Sequence, residues 1–423
     1  AQATASGRAG VSVIRLSGFQ AFDIARIFCK LPQVGRTGLR AVRGRDGALI
    51  DQALVLCFEQ GASFTGERVV EFQVHGGLAT VAKLLSELSA QGGCRLAEPG
   101  EFTRRALENG QLDLNQVEAL SDLIDAETES QRQQAIRVLD GRFGDAGEMW
   151  RGKLLRAAAL LEASIDFSDE EIPDDLSVEV ISLVEETRAS IAAILERSMM
   201  ASKIRTGFTV AIIGAPNVGK STLLNAIVGR QAAITSDVAG TTRDVIECRV
   251  DLQGLAVSFL DTAGLRESED EIENLGISKA YEMAAAADVR VFLVEEVGEP
   301  LPIALRDGDI VRLNKGDERS SEVGTVSGKT GEGVSELLSL IAKRLMVKTP
   351  QDVVAIRERQ ITGLRAAESF LGRVLELTQA DPLPFELASQ ELYFALSELD
   401  FVFGRIDIES VLDEIFSSFC LGK

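Results

Sequence analysis

The stretch Gly214-Ala215-Pro216-Asn217-Val218-Gly219-Lys220-Ser221 decides the fold, because it follows the apolar run Phe208–Ile213 and precedes the helical residues 222–226. This is the GxxxxGKS pattern in its required setting of strand, glycine-rich loop and helix. Glycines let backbone N–H groups turn toward phosphates, and the helix N-terminus favours negative charge. We expect Lys220 to bridge the outer phosphates and the Ser221 hydroxyl to bind Mg²⁺. The expected nucleotide contacts here are Asn217, Val218, Gly219, Lys220, Ser221 and Thr222; an ordinary glycine-rich turn is the much weaker alternative.

The pattern of apolar and polar residues changes twice along the chain around this loop. Apolar runs at Phe208–Ile213, 256–260, Val289–Val294 and 310–313 alternate with helical segments, a pattern typical of a mostly parallel sheet. Long helical periodicity precedes and follows this region. We therefore predict an α/β P-loop domain at residues 207–347, inserted into an all-α helical domain whose two parts are residues 112–206 and 348–423.

The beginning of the chain has a third texture. Short apolar or alternating runs at 11–16, 54–58 and 69–74 are bounded by Gly, Ser and Asp, and a helical run lies near 80–89. Such runs are typical of strands. They predict an α+β domain over residues 1–111.

A second motif selects the base. Asn314-Lys315-Gly316-Asp317 follows the run 310–313, and the Asp317 carboxylate can accept two hydrogen bonds that guanine offers and adenine does not. The order of the motifs predicts a Ras-like GTPase domain, although the tetrapeptide alone could be a solvated turn. The expected base-side contacts are Asn314, Lys315, Asp317, Ser327, Gly328 and Lys329.

Two further stretches are expected near Mg²⁺ and the terminal phosphate. Asp261-Thr262-Ala263-Gly264 ends a strand-like run, and Gly240-Thr241-Thr242 lies where a switch loop should close over the nucleotide, with Thr242 as a metal ligand or simply a polar loop residue. Leu265 stands where a Ras-type enzyme has the glutamine that orients water. Acidic residues crowd the next stretch, namely Glu267, Glu269, Asp270, Glu271 and Glu273, and spacing alone does not choose among them.

Composition limits the environment. The chain has 423 residues, 44 basic and 65 acidic side chains and a net charge of −21, so a broad basic surface for nucleic acid is excluded. The five cysteines form no CxxC pair, which argues against a disulfide framework or a zinc site. Neither a membrane span nor a signal peptide is evident. We expect a cytoplasmic protein that contacts no membrane.

Sequence blocks at both ends of the chain decide the subfamily. They are 7–10 (GRAG), 14–18 (IRLSG), 63–67 (SFTGE), 75–77 (HGG), 99–106 (PGEFTRRA) and 416–423 (FSSFCLGK). Together with the nucleotide motifs, these blocks resemble the MnmE or TrmE family of tRNA-modification GTPases over nearly the whole chain.

For the GTPase domain, the resemblance implies a K⁺ ion beside the phosphates, held by Asn217, Ser236, Val238 and Thr241. A monovalent cation there would replace an arginine finger. The resemblance also selects Glu273 to orient the water, so that the catalytic set is Glu273, Lys220 and Thr242. The switch-loop contacts to the nucleotide are then Ser236, Asp237, Val238, Ala239, Gly240, Thr241 and Thr242.

For the remaining domains, the resemblance implies a folate-binding-like fold at residues 1–111 that also makes a homodimer. Arg15, Glu71, Gln111 and Lys423 would bind a 5-formyl- or methylene-tetrahydrofolate, with Gln111 replacing the lysine of some members, and Cys420 could take part in modification chemistry or simply pack. The implied partners are tRNA, a second GTPase domain paired in a GTP-dependent manner, and an FAD-containing MnmG-type subunit in a heterotetramer. The implied reaction adds a carboxymethylaminomethyl or aminomethyl group to carbon 5 of the wobble uridine.

Two other functions compete with this interpretation. A K⁺-activated ribosome-assembly GTPase would share the nucleotide motifs, but its KH-like or tandem-G module does not fit the terminal blocks. A nucleotide-switched scaffold would use hydrolysis only to reset binding, and kinetics would be needed to separate it from an enzyme.

Overall fold

The computed structural model describes residues 1–166, 174–231, 246–261, 282–314, 324–347, 357–380, 383–406, 416 and 422. The chain forms two compact units. The first comprises Ala1–Ser121, Phe143–Gly152 and Tyr393–Lys423, and the second comprises Asp122–Arg142 and Lys153–Leu392. The domain boundaries predicted after residues 111, 206 and 347 stay predictions. They were placed where the sequence pattern changes, whereas the two units are defined by which residues contact each other.

The first unit is built on an antiparallel sheet. Its elements are β1 (Ala9–Ser17), α1 (Ala21–Phe28), β2 (Gly38–Arg43), β3 (Leu49–Phe58), β4 (Val69–Gly76), α2 (Leu78–Ser89) and α3 (Glu101–Glu108), and the strand order is β1-β4-β3-β2. Buried and exposed side chains alternate along β4, with Val70, Phe72 and Val74 in one core with residues of α1 and α2. This is the period of a sheet whose one face is covered by helices, and it confirms the α+β prediction.

Four helices follow: α4 (Leu114–Asp125), α5 (Glu129–Leu139), α6 (Arg142–Asp166) and α7 (Asp174–Thr206). Within the first unit, the rings of Phe143 and Trp150 lie 5.0 and 6.2 Å from the ring of Phe403. A side chain on Gly147 would collide with that ring. Glycine at this position therefore permits the aromatic contact.

The second unit contains a six-stranded sheet. Its elements are β5 (Phe208–Ile213), α8 (Lys220–Val228), β6 (Ile246–Leu252), β7 (Leu255–Asp261), β8 (Val289–Val294), β9 (Ile310–Asn314), β10 (Thr325–Val326) and α9 (Val334–Val347). The strand order is β10-β9-β8-β5-β7-β6, and every neighbouring pair is parallel except β6 and β7. All six residues of β8 are buried, as expected for a parallel strand covered on both faces. The predicted α/β P-loop fold is confirmed.

The connection between β8 and β9 has no helix, although a crossover between parallel strands usually contains one. Leu301 and Ile303 from this connection pack instead against a core that includes Ile213 and Phe292. These two apolar side chains thus cover part of the sheet core that a crossover helix commonly covers.

Two further helices, α10 (Glu358–Leu377) and α11 (Phe385–Val402), complete the described elements. In the second unit, α10 packs along α7, where Arg188 and Glu368 form an ion pair of 2.9 Å. Across the described parts of the chain, every helix is too short or too polar to cross a bilayer.

Candidate nucleotide-binding site

The loop between β5 and α8 folds around its own lysine. Lys220 is buried, and its Nζ donates hydrogen bonds of 2.8 Å to the carbonyl oxygens of Gly214 and Ala215. Asn217 and Gly219 adopt left-handed backbone with φ of 62° and 96°, a conformation that glycine and asparagine tolerate best. These turns curl the loop and hold the ammonium group at its centre.

Helix α8 begins at Lys220, so Ser221 stands in its first turn. The first N–H groups of a helix lack partners within the helix, and the helix dipole adds positive potential there. This terminus therefore suits a phosphate group. The Ser221 hydroxyl is an oxygen donor of the kind that Mg²⁺ prefers.

Asn314 links the base-recognition motif to the phosphate loop. Its buried side-chain Nδ2 donates a hydrogen bond to the carbonyl oxygen of Val218. A Cβ on Gly219 would lie 2.6 Å from the same Nδ2, so a glycine is required where the two motifs touch. The sequence assigned Asn314 to the base side, and its brace on the phosphate loop was not predicted.

The stretch Ser327–Lys329 reaches the same helix end. Ser327 is buried, and its Oγ accepts a hydrogen bond of 3.2 Å from the backbone N–H of Thr330. A Cβ on Gly328 would lie 2.6 Å from the backbone nitrogen of Leu223. Only glycine lets this turn approach α8 so closely. The exposed Lys329 follows within the turn.

The sheet explains why these pieces meet. In parallel strands the carboxyl ends lie at one edge, and the loops after β5, β9 and β10 carry the three motifs. Asp261 ends β7 at the same edge and is the register partner of Ile212 in β5. The structure thus brings together the sites predicted at residues 217–222, 261, 314 and 327–329.

Other predicted residues lie outside the described part of the chain. They are Ser236, Asp237, Val238, Ala239, Gly240, Thr241, Thr242, Thr262, Ala263, Gly264, Glu273, Lys315, Asp317, Cys420 and Lys423. Their roles stay predictions.

A buried ion pair supports the neighbouring strands. Arg290 in β8 donates hydrogen bonds of 2.9 and 2.5 Å to Asp309, and the two side chains are only 4% and 3% exposed. Burial raises the pKa of Asp309, but hydrogen bonds from Arg290 and from the backbone N–H of Arg306 outweigh burial, so the pKa lies below its ordinary value. This ion pair fixes the β8–β9 connection, which has no helix, to strand β8. No sequence motif indicated the ion pair.

In the first unit, Arg15 and Glu71 are register partners on β1 and β4 and form an ion pair of 2.9 Å. The Arg15 guanidinium also lies 5.3 Å from the ring centre of Phe64 and 5.4 Å from that of Phe102, within the range of cation–π attraction. Two of the predicted folate contacts are therefore adjacent. Gln111 lies on the turn after α3, where its Cγ would be 3.1 Å from a Cβ on Gly66.

A pocket of about 480 Å³ opens beside this pair. Arg105 bridges Glu67 and Glu101 at 2.9 and 2.6 Å, and Ser17 donates a 2.7 Å hydrogen bond to Glu67. Burial raises the pKa of Glu101, yet hydrogen bonds from Arg95, the Glu98 N–H and Arg105 leave it lowered. Ser17, Glu67, Glu101 and Arg105 belong to sequence blocks that carried the family resemblance, but sequence analysis gave them no individual roles.

The cysteines in the described residues, Cys29, Cys57, Cys94 and Cys248, are free thiols. Burial raises the pKa of Cys29 to about 11 and also raises that of Cys57. A thiol with a raised pKa is a poor nucleophile and metal ligand. Within the same residues, no group of three or more His, Cys, Asp or Glu side chains could hold a metal.

Comparison with known proteins places these features in a family. The profile described as "MnmE helical domain" matches residues 114–420, and "GTP-binding protein TrmE N-terminus" matches residues 1–111. The tRNA modification GTPase MnmE of Roseobacter denitrificans is 52% identical, over 99% of this chain and 98% of the relative. The protein of the same name from a Ruegeria species is 50% identical over 100% of this chain and 99% of its own.

Among solved structures, a variant of Era from Aquifex aeolicus bound to GDP and AlF₄⁻ covers 38% of this chain and 66% of its own, at 26% identity and a TM-score of 0.27. The overlap is too low to support an argument.

Proposed function

This chain belongs to the MnmE family of tRNA modification GTPases, and from that premise we propose that it is a K⁺-activated GTP hydrolase that modifies the wobble uridine of tRNA. The coarse activity, GTP hydrolysis in the service of tRNA modification, follows from full-length relatives at about 50% identity. The finer steps below are proposals for this chain.

One observation carries the hydrolytic part of the proposal. The buried Lys220, the brace from Asn314 and the close approach of Gly328 all converge on the first turn of α8. A triphosphate in this loop would exchange the two carbonyl partners of Lys220 for phosphate oxygens. The ammonium would then stabilise the charge that develops as the terminal phosphate bond breaks. Asp317, three residues after Asn314 in the sequence motif, would select guanine.

Two cations complete the proposed site. Ser221 and Thr242 would hold Mg²⁺, and Asn217, Ser236, Val238 and Thr241 would hold K⁺. The donor chemistry fits, because hydroxyl, amide and carbonyl oxygens suit both ions. When bound, these cations neutralise charge on the phosphates. Glu273 would orient the attacking water, because Leu265 cannot.

The first unit would supply the one-carbon chemistry. Arg15 and Glu71, with Gln111 and Lys423, would bind a 5-formyl- or methylene-tetrahydrofolate. The surroundings of the Arg15 guanidinium support this proposal, because it lies near two aromatic rings and a carboxylate, and a planar ring system can stack and hydrogen-bond with such groups. Cys420 would serve the modification chemistry.

The proposed assembly is a homodimer through the N-terminal domain, with GTP-dependent pairing of GTPase domains. An FAD-containing MnmG-type subunit would complete a heterotetramer. With a net charge of −21, this chain repels a polyanion at long range, so the partner would provide most of the basic surface for tRNA.

The test compares GTP turnover in KCl and NaCl for the wild type, Glu273→Ala and the matched control Glu267→Ala. We expect turnover in KCl to exceed turnover in NaCl by about 10²-fold, the scale of one charge-stabilising group. In KCl, the Glu273→Ala variant should lose turnover by a similar factor, whereas the Glu267→Ala variant should lose little. Equal rates in the two salts would refute the K⁺ role, and full activity of Glu273→Ala would refute its assignment.

The modification itself is tested by mass spectrometry of tRNA nucleosides from cells that lack this protein. Loss of the substituent at carbon 5 of the wobble uridine is expected. In complemented cells, Cys420→Ser should reduce modification more than it reduces GTP hydrolysis in vitro. Unchanged wobble uridines would favour a ribosome-assembly GTPase instead.

A further inference from the structure

The hairpin of β6 and β7 joins the two stretches expected to contact the terminal phosphate. In the sequence, Thr242 stands shortly before β6, and Thr262 directly follows Asp261 at the end of β7. The strands pair without interruption from Ile246 opposite Asp261 to Leu252 opposite Leu255. This continuous antiparallel ladder connects the open end of the hairpin to its tip through backbone pairing along its whole length.

The hairpin tip contacts the start of α5. Gln253 and Gly254 turn the chain with φ of 55° and 86°, and the Asp251 carboxylate accepts a 2.7 Å hydrogen bond from the Gly254 N–H. The Gly254 carbonyl oxygen accepts a 3.2 Å hydrogen bond from the backbone N–H of Ser130. This bond satisfies one of the N–H groups that the first turn of a helix leaves without an internal partner.

A charged side chain makes the second contact. Arg249, which lies in β6, forms a 2.9 Å ion pair with Glu127, just before α5. The same guanidinium donates a 3.3 Å hydrogen bond to the carbonyl oxygen of Thr206, the last residue of α7. Arg249 therefore contacts both the residue segment before α5 and the end of α7.

The two helices are tied to each other at this point. The side-chain amides of Gln131 and Gln134 in α5 donate hydrogen bonds of 3.0 Å to the carbonyl oxygens of Arg205 and Ala201 in α7. Arg205 of α7 in turn lies 3.9 Å from the carboxylate of Asp122 in α4, and Asp122 pairs with Arg357 at 2.8 Å, just before α10. A shift of the hairpin thus has a chain of direct contacts through α5 and α7 toward α10.

The contact is polar, and it borders a cleft. The cleft has a volume of about 480 Å³ and is lined by Asp122, Asp125, Glu127, Gln131, Arg205 and Arg249 among others. Arg249 and Glu127 keep 32% and 27% of their side-chain surface exposed. Polar contacts next to solvent can exchange partners at small cost, whereas a packed apolar seam is held in one arrangement.

We propose that Arg249 and Glu127 are a positioning pair that couples the nucleotide state of the GTPase site to the helices α5 and α7. Arg249 pairs with Ser258 within the hairpin, and neither Arg249 nor Glu127 belongs to the residues predicted to contact the nucleotide. The positioning pair fixes the hairpin against the helices, so that a change at the open end of β6 and β7 shifts α5 and α7. This rests on the proposed function only in that GTP is the nucleotide.

The experiment compares the wild type, Arg249→Glu, Glu127→Arg and the double charge exchange. Hydrogen–deuterium exchange is measured over residues 127–139 and 196–206 with GDP and with a non-hydrolysable GTP analogue. We expect the wild type to show a nucleotide-dependent change in protection of about 5-fold or more, the lower scale of allosteric coupling. Each single exchange should abolish this change, and the double exchange should restore it. Nucleotide affinity should stay within about 2-fold of the wild type throughout, since neither residue of the pair belongs to the predicted nucleotide contacts.

The matched control is the exposed pair of Glu129 and Arg132 on the same helix, which are 54% and 49% exposed. Exchanging these two charges, singly or together, should leave the nucleotide-dependent protection intact. Arg249→Met, which keeps the aliphatic stem and removes the charge, replaces Arg249→Glu if that variant does not fold.

Three outcomes would overturn the proposal: no nucleotide-dependent protection in the wild type, protection that persists in both single exchanges, or failure of the double exchange to restore it. None depends on K⁺, folate or tRNA chemistry. Equal rates of GTP hydrolysis in KCl and NaCl would therefore refute the proposed K⁺ role but would not contradict this coupling.

Discussion

The two sheets of this protein place their functional residues in different ways. In the six-stranded sheet, parallel strands end at a common edge, so each motif is a short contiguous stretch and the edge assembles them. In the four-stranded antiparallel sheet, Arg15 and Glu71 are separated by 56 positions and meet only through strand register. Contiguous motifs can be read from a sequence, whereas cross-strand pairs cannot.

The ion pairs of the two regions differ as well. Arg290 and Asp309 of the parallel region are almost fully buried, while Arg26 and Asp23 on α1 are 60% and 72% exposed. Removing one partner of a buried pair leaves the other charge unpaired in a medium of low dielectric constant, whereas water screens the charges of an exposed pair. The predictions below sharpen this contrast, from the largest expected effect to the smallest.

Asp309→Asn should lower the free energy of unfolding by about 3 kcal/mol at neutral pH, because Arg290 keeps its charge in a buried site. Urea unfolding followed by far-UV circular dichroism measures this. The exposed neighbour Asp307 supplies the control, since Asp307→Asn should change little. A loss as small as that of the control would show that the buried pair does not hold the β8–β9 connection.

The same variant has a defined pH dependence. The folded-state pKa of Asp309 lies below its ordinary value of 3.8, so its ionised form stabilises the fold above that pH. The contribution is lost as the pH falls through the lower folded-state value. The difference in free energy of unfolding between the wild type and Asp309→Asn should therefore be constant from neutral pH to about 4 and disappear in stronger acid.

Arg15→Ala should weaken binding of 5-formyltetrahydrofolate by about tenfold or more, the scale of one hydrogen bond to a charged group. Calorimetric titration measures the affinity, and GTP affinity should not change. Arg36→Ala, an exposed arginine of the same unit, should bind folate normally. Unaltered folate affinity in Arg15→Ala would remove the cross-strand pair from the proposed site.

Arg26→Ala should change the free energy of unfolding by less than about 1 kcal/mol, because its ion pair with Asp23 is exposed. Urea unfolding at low and high ionic strength tests this, and added salt should erase the small difference. A loss comparable to that of Asp309→Asn would break the contrast between exposed and buried pairs.

Sequence reasoning found the strands that carry motifs and missed others. The apolar runs predicted β5, β7, β8 and β9, but β2, β6 and β10 were not anticipated. In β2 the exposed and partly exposed positions dominate, and only Val42 is buried. An edge strand such as β2 has few buried positions and therefore a weak hydrophobic signal. In β6, by contrast, apolar and polar residues alternate strictly over 246–252 (IECRVDL), which is the period of a half-buried strand, so the sequence carried a signal that the prediction missed.

By itself, the sequence determined the family, the fold class of each segment and the residues of the phosphate loop, because these depend on local patterns: glycine spacing, apolar periodicity and motif order. Only the tertiary structure decided which distant groups touch. Such contacts join residues that are apart in the chain: Asn314 and the Val218 carbonyl, Arg290 and Asp309, and Arg249 and Glu127. Their free energies depend on burial and distance, which a linear pattern does not contain.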